Sequence, residues 1–374
     1  MVYLDYAANT PTDERVLKEF CLVNQEFFGN PNSLHPFGFA AKEKMDSITE
    51  SMINQLELTE SEIVYTSGAS ESNNTAIKGI ARSSRHIGKH IITSGLEHSS
   101  VSGTLTYLQE QGYEIDMLDI CKDGTLNLDS LRELLRKDTV LVTVIAVDSE
   151  LGVVQPLKEI AAIVKEFPNC RLHVDATQAI GKVRMDFNLA DTISFTPHKY
   201  YGLNGCGVLI KKKDLIIEPL IHGGVSTTIY RSGTPAVAMA ASIQKATSLA
   251  FDEFDGRYQV VKEWNTYLRE QLQKNKKVVI NSPIESVPHI LNISVPGIRG
   301  YVMQEKLAEQ GICLSAKSAC SVKTTPSKPV FAITRDKKRA MSSFRISISH
   351  MTKKEELDYF LDKLNLMCHP GLKE

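Results

Sequence analysis

No stretch of this chain approaches the run of about 18 apolar residues that a membrane span needs. Its first residues, MVYLDYAANTP, have neither the basic start nor the apolar stretch of a signal peptide, so the expected compartment is the cytoplasm. An excess of charge is missing too. Lys and Arg number 43 against 44 Asp and Glu, a formal net charge of −1. A general nucleic-acid binder would show a basic surplus, so neither nucleic acid nor membrane is an expected partner. There is no H-E-x-x-H and no C-x-x-C, and no metal site is expected. The seven cysteines (Cys21, Cys121, Cys170, Cys206, Cys313, Cys320 and Cys368) are odd in number and scattered, which argues against a disulfide framework. No internal repeat or low-complexity segment interrupts the chain.

What is present is an ordinary globular balance, 42% hydrophobic and 23% charged, over the length of two domains. Between residues 60 and 210, short apolar runs alternate with amphipathic stretches. The runs are EIVYTS (62–67), HIITS (90–94), EIDML (114–118), TVLVTVIAV (139–147), RLHV (171–174), TISF (192–195) and GVLI (207–210). They are rich in Val and Ile and mostly apolar on both faces, as buried strands of a largely parallel sheet are. In LDSLRELLRK, Leu128, Leu131, Leu134 and Leu135 share a helical face. In PLKEIAAIVKEF, Leu157, Ile160, Ile163, Val164 and Phe167 do the same. The alternation predicts an α/β layered domain over residues 15–250. After residue 250 a polar helix, HILNISV (289–295), a helix near 300–310 and FRISIS (344–349) predict a smaller α+β domain, 251–374, joined by residues 1–14. The last helix is expected to open at Thr352 with Glu355 in a capping box.

Several junctions carry chemistry. In YTSGASESNN a strand ends, Gly68 permits a tight turn, and a helix starts near Ser70. Free N–H groups and the helix dipole there suit a phosphate, with the hydroxyls of Ser67 and Ser70 as further donors. Asp175 follows a buried strand, with Gln178 three residues later. Taken alone, Asp175 reads better as an exposed helix cap than as a carboxylate held in a cleft. Lys199 follows the next strand; taken alone it reads as a surface lysine. Three such features at three strand ends point instead to one crevice, because ligands of open α/β sheets sit outside the carboxyl ends of strands. A phosphate turn, an acid and a lysine are what pyridoxal phosphate needs: a helix N-terminus for its phosphate, a carboxylate for its ring nitrogen, an amine for its aldehyde. His98, after HIITS, is either a loop histidine or an imidazole that stacks on a planar ring and exchanges protons. Cys320 sits in a Ser-, Lys-, Thr- and Pro-rich segment between Lys317 and Lys323, cations that favour a thiolate; Cys313, in an apolar run, reads as core. Arg345 lies inside a strand and suits a two-point carboxylate contact or an ion pair with a neighbouring acid.

Taken together these stretches resemble the cysteine desulfurases, pyridoxal-phosphate enzymes of the class V aminotransferase group. YLDYAANTP (3–11), GNPNSLH (29–35), YTSGASESNN (65–74), EHSSV (97–101), SELGVVQP (149–156), HVDATQAIGK (173–182), SFTPHKYYG (194–202), RSGTP (231–235), SACS (318–321) and SFRIS (343–347) fall in family order along nearly the whole chain. The cysteine segment looks like that of the long-loop subgroup. The resemblance implies a fold type I transferase: a mostly parallel mixed sheet flanked by helices, with a smaller α+β domain. It implies that Lys199 holds the cofactor as a Schiff base and shuttles the Cα proton. His98 would stack on the ring, Asp175 pair with the pyridine nitrogen, and Gln178 bond the ring hydroxyl oxygen. Ala69, Ser70, Thr196 and His198 would hold the phosphate, with Thr234 reaching in from the second subunit of a homodimer. Arg345 would clamp the carboxylate of L-cysteine, and Cys320 would take its sulfur as a persulfide. The sulfur would pass to an acceptor protein, a tRNA thiolase or an iron–sulfur scaffold. Ser149 stands where the family has an asparagine that helps hold cofactor and substrate, and HGGVSTT and Lys317 also depart from its pattern. Two other readings remain open on sequence: a selenocysteine lyase or other class V β-lyase, and a cofactor-binding partner or regulatory subunit with impaired catalysis.

Overall fold

The computed structural model describes residues 1–317 and 325–368. Its described strands are β1 (Val2–Tyr3), β2 (Ser61–Thr66), β3 (His90–Ser94), β4 (Glu114–Leu118), β5 (Thr139–Ile145), β6 (Arg171–Asp175), β7 (Thr192–Phe195), β8 (Gly207–Lys212), β9 (Val279–Ile280), β10 (Ile290–Ser294), β11 (Ile312–Cys313) and β12 (Ser343–Ser347). The seven apolar runs of residues 60–210 become β2 to β8, one seven-stranded sheet in the order β2-β8-β7-β6-β5-β3-β4. The pairs β3–β4, β3–β5, β5–β6 and β6–β7 are parallel; β8 alone runs against its neighbours, β2 and β7. This is the expected mixed, mostly parallel α/β sheet, and its central strands are buried along their length. β4 is the exception to two-sided burial, because it closes an edge: Glu114 and Met117 are exposed.

Helices cover the sheet through the apolar faces that the sequence marks. Ile160, Ile163 and Val164 of the helix Leu157–Lys165 are buried in the main core, alongside Val142, Val144, Val174 and Ile193 from the strands. On the face bearing Val64, Ile91 and Val140, Ile77 and Ile80 of the helix Ala69–Ser83 are wholly buried. A separate apolar cluster joins Leu291, Ile293, Phe344 and Ile346 to Leu357 and Phe360 of the last helix. β10 pairs antiparallel with β12 and β9. The first residues pack here: β1 pairs parallel with β11, Leu4 is buried in the cluster, and Asp5 bridges to Ser347.

Two local expectations are corrected. The last helix spans Lys354–Met367 with Lys353 as its cap, and Glu356 closes the cap by accepting from the Lys353 N–H at 2.9 Å. Thr352 is not the cap, because its hydroxyl is already bonded to the Ser349 N–H at 3.0 Å. Cys313 is half-buried rather than core, since it lies on the two-residue strand β11.

Candidate active site

At the carboxyl ends of β2, β3, β5, β6 and β7 the chain leaves the sheet around one cavity of about 350 Å³. The turn Ser67-Gly68 and the first residues of the helix Ala69–Ser83 line it, with His98, Ser149, Asp175, Gln178, Thr196, His198, Lys199 and Arg345. Every described residue to which the sequence assigns a role on cofactor or substrate borders this cavity except Thr234. Thr234 is exposed and lies elsewhere. Cys320 lies outside the described residues, as does Lys323.

The phosphate-type turn is built by close backbone approach. β2 and β8 pair through to Thr66 and Gly207. A Cβ on Gly207 would come within 2.5 Å of the Gly68 backbone, so only glycine lets the turn lie against the start of β8. The helix that follows has no side-chain cap, which leaves its first N–H groups available to an anion. Glu71, which the sequence reading passed over, braces the turn: it accepts from the Ser67 N–H at 2.7 Å and from Arg231 at 3.0 Å. Nothing short-range in the sequence announces Arg231 as its partner. At the other side of the turn Thr196 hydrogen-bonds His198 Nδ1 at 2.9 Å and donates to the Cys206 carbonyl at 2.8 Å. Burial, with the charges of Lys199 and Lys182, pushes the His198 imidazole down to about 4.

Lys199 owes its position to the TPHKYYG turn. Proline fixes the first residue of the one-turn helix Pro197–Lys199, and the Pro197 carbonyl accepts from the N–H groups of Tyr200 and Gly202. A Cβ on Gly202 would meet the Pro197 Cβ at 2.3 Å. The amine of Lys199 donates to the carbonyls of Ala7 and Ala8 at 3.1 and 2.5 Å, so the N-terminal AANT segment forms part of its setting. It is not the surface lysine that the residue alone suggests.

Asp175 is 1% exposed and so is no exposed cap. One oxygen accepts from the Thr177 N–H at 3.0 Å and the other from Asn73 Nδ2 at 2.8 Å. The helix-cap base rate fails because β6 ends inside the molecule, covered by the helix that carries Asn73. Gln178 donates to the Ala7 carbonyl at 2.8 Å and accepts from Lys182 at 2.6 Å. Lys182, a buried lysine, is lowered to about 7 by burial and by the charges of Lys199 and Arg345. His98 caps the helix Ser99–Glu110 by accepting the Ser100 N–H on Nδ1; burial and Lys199 lower its pKa, against the opposing charge of Asp175.

Arg345 enters from the second sheet. It donates to Asp5 at 2.9 Å and to the Ser149 carbonyl at 2.9 Å. The ion-pair reading therefore holds, with Asp5 as the acid. Among the described residues its buried Nε has no partner. Lys317, the cation that the sequence sets beside Cys320, donates to Thr325 O and Oγ1 at 2.6 and 2.9 Å, and burial lowers its pKa.

A buried carboxyl under the site gives a pH signature. Glu97 accepts from Ser94 Oγ at 2.7 Å and the Ile145 N–H at 3.0 Å, while its second oxygen has no partner among the described residues. Burial raises its pKa from 4.5 to about 8, with Asp175 and Asp148 adding to the rise. Between those values the folded state keeps a proton that the unfolded chain has lost, so stability falls as pH rises through the window. Glu97→Gln is expected to remove this component. From pH 5 to pH 8 its melting temperature should gain about 5 °C on the wild type, read by calorimetry; a difference flat with pH contradicts the assignment.

A cavity walled by a buried carboxylate, a lysine amine and an uncapped helix N-terminus fits a flat, anionic, aldehyde-bearing ring. Comparison with known proteins agrees. The aminotransferase class-V family model matches residues 2–360, and the chain belongs to this family. A NifS/IcsS protein homolog of Lactobacillus delbrueckii subsp. bulgaricus is 36% identical, over 96% of this chain and 95% of its own. A cysteine desulfurase IscS of Pseudoalteromonas translucida is 38% identical, over 96% of this chain and 91% of its own. Among solved structures, a NifS-like protein superposes with a TM-score of 0.91 at 32% identity, covering 98% of both chains. Within the family the chain is a cysteine desulfurase-like enzyme, and its cofactor is pyridoxal phosphate. Among the described residues no helix is long and apolar enough to cross a membrane.

Proposed function

We propose that the chain converts L-cysteine to L-alanine and takes the sulfur as a persulfide on Cys320, for delivery to an acceptor protein of tRNA thiolation or iron–sulfur assembly. The observation that carries this reading is the meeting of Lys199, Asp175, His98 and Arg345 around one cavity, although their positions span residues 98–345. Bound there, pyridoxal phosphate supplies an electron sink for charge developing at the substrate Cα. Ala69, Ser70, Thr196 and His198 would hold the phosphate, Asp175 the ring nitrogen and Gln178 the ring hydroxyl. His98 would lie against the ring, and Lys199 would hold the aldehyde and move the Cα proton. Ser149 would line the substrate side, where its carbonyl orients Arg345 toward the substrate carboxylate.

The sulfur step balances without an external oxidant. A Cys320 thiolate attacks the substrate Sγ; an S–S bond forms, the Cβ–S bond breaks, and the electron pair passes to the substrate carbon that a proton then reaches. Alanine and one persulfide result. Thr234 would complete the phosphate site of a second copy, and its exposure outside its own cavity supports a homodimer. The apolar cluster of Leu291, Ile293, Phe344, Ile346, Leu357 and Phe360, which also takes in Leu4, supports a division into a cofactor-binding part, 15–250, and a smaller part formed by 1–14 and 251–374, with Ala7, Val287 and Ile290 packing back onto the main core.

Mass spectrometry of the protein after exposure to L-cysteine tests the reading. One added sulfur on the peptide bearing Cys320 is expected, removed by a thiol reductant. Alanine formation with no sulfur on that peptide would refute it.

A further inference from the structure

Asn73 belongs to the YTSGASESNN stretch, yet the functional reading gives it no task. It is wholly buried, as are His173 and Thr192. Its amide nitrogen donates twice, to Asp175 Oδ2 at 2.8 Å and to Ser100 Oγ at 2.9 Å. Its carbonyl oxygen lies 3.0 Å from His173 Nε2. The amide cannot be turned over, because its oxygen would then face the carboxylate of Asp175, acceptor against acceptor. The oxygen therefore accepts, and His173 carries its proton on Nε2. His173 Nδ1 is left to accept from Thr192 Oγ1 at 2.8 Å. Burial holds this imidazole well below its usual pKa, in keeping with a neutral ring.

The second branch is fixed in the same way. The backbone N–H of Ser100 can only donate, and it points at His98 Nδ1 from 3.2 Å. Nδ1 is thus an acceptor, and neutral His98 carries its proton on Nε2. The Ser100 hydroxyl, 2.9 Å from the same Nδ1, spends its proton there and accepts from Asn73 on its other side.

We propose that Asn73 is the positioning residue of the site: through one amide it orients Asp175 directly and holds the Ser100 hydroxyl on Nδ1 of His98, so that both groups are held in one hydrogen-bonded frame. The consequence for the reaction rests on the cofactor reading; the frame itself does not. Asn73 touches neither the cavity wall nor the substrate side, so it acts only through the residues it holds.

Asn73→Asp keeps the shape and an acceptor for His173, shares one proton with Asp175 in place of the amide donor there, and removes the donor to Ser100. The Ser100 hydroxyl then turns to donate to the new carboxylate and deserts His98. Turnover is expected to fall about 10- to 100-fold, with KM for cysteine within about threefold of wild type. ¹⁵N spectra of histidine-labelled protein, recorded without cofactor, should show His98 and His173 of the wild type as neutral rings protonated on Nε2. The His98 Nδ1 resonance should move in Asn73→Asp although residue 73 does not touch that ring. Should Asn73→Asp fail to fold, Ser100→Ala breaks the second branch alone and must move the same resonance with KM unchanged. A wild-type His98 protonated on Nδ1 overturns the proposal. So does an unmoved His98 resonance in either variant, or wild-type turnover in Asn73→Asp. Wild-type protein that takes up no pyridoxal phosphate would refute the cofactor reading and leave these spectra to decide the frame.

Discussion

Lys199→Ala yields a folded protein that has lost the violet-region absorbance of a bound pyridoxal phosphate and forms alanine more than about 1,000-fold more slowly, if at all. The size of the effect follows from the two tasks that fall on one amine. It holds the aldehyde, and it moves the proton at Cα. The setting found for it prepares both. The carbonyls of Ala7 and Ala8 point its Nζ along a single direction. A buried ammonium is costly, and conversion to a carbon–nitrogen double bond removes the full charge. Lys182, a buried amine, stands behind Gln178 and shares a small second cavity with half-buried Lys199. It is not expected to take over in the variant, since its amine is committed to Gln178 Oε1 at 2.6 Å and it does not line the main cavity. Absorbance spectra and an alanine assay of the purified variant check this; retained absorbance with retained turnover would contradict it.

Cys320→Ala is expected to separate binding from sulfur transfer. The bound cofactor's absorbance stays at the wild-type level, since the groups that would hold the cofactor are Lys199, Asp175 and the phosphate turn. Alanine formation from cysteine falls by about 1,000-fold or more, because a thiolate is required to accept the sulfur and water is a poor substitute. The same variant separates the two enzyme readings. Selenium leaves without a thiolate, so turnover of cysteine that survives the loss of Cys320 would favour a selenocysteine lyase or another class V β-lyase. A wild-type protein that binds cofactor and makes no alanine, even with a reductant and sulfur acceptors, would favour a regulatory subunit.

Much of the large sheet was legible because its strands are buried on both faces. Seven Val- and Ile-rich runs needed no partner to be recognised; their order in the sheet, with β8 between β2 and β7 and β3 between β5 and β4, depends on contacts that the runs do not announce. The edge strand β4, with Glu114 and Met117 exposed, departs most from that signature, and the other edge strand, β2, is only partly buried at Glu62 and Tyr65. The candidate site was legible at the strand ends, where Gly68, Asp175 and Lys199 follow apolar runs directly. What the sequence hid was contact across long separations. Ala7 and Ala8 meet Lys199 from more than 190 residues away, and Asp5 meets Arg345 across 340. Asn73 and Glu71 lie within a motif that was noticed, but their tasks depend on His173 and Arg231, which no local pattern links to them. Asp175 and Lys199 illustrate the same point from the other side. Judged singly, each is an ordinary surface residue, and only their convergence at adjacent strands reverses that judgement.

The central claim is that Lys199 meets the aldehyde of pyridoxal phosphate beside Asp175. Borohydride reduction of the holoenzyme converts that double bond into a stable amine, and peptide mapping then locates it. The account predicts a single pyridoxyl adduct on Lys199. An adduct on Lys182 or on a surface lysine, with Lys199 unmodified, would contradict it.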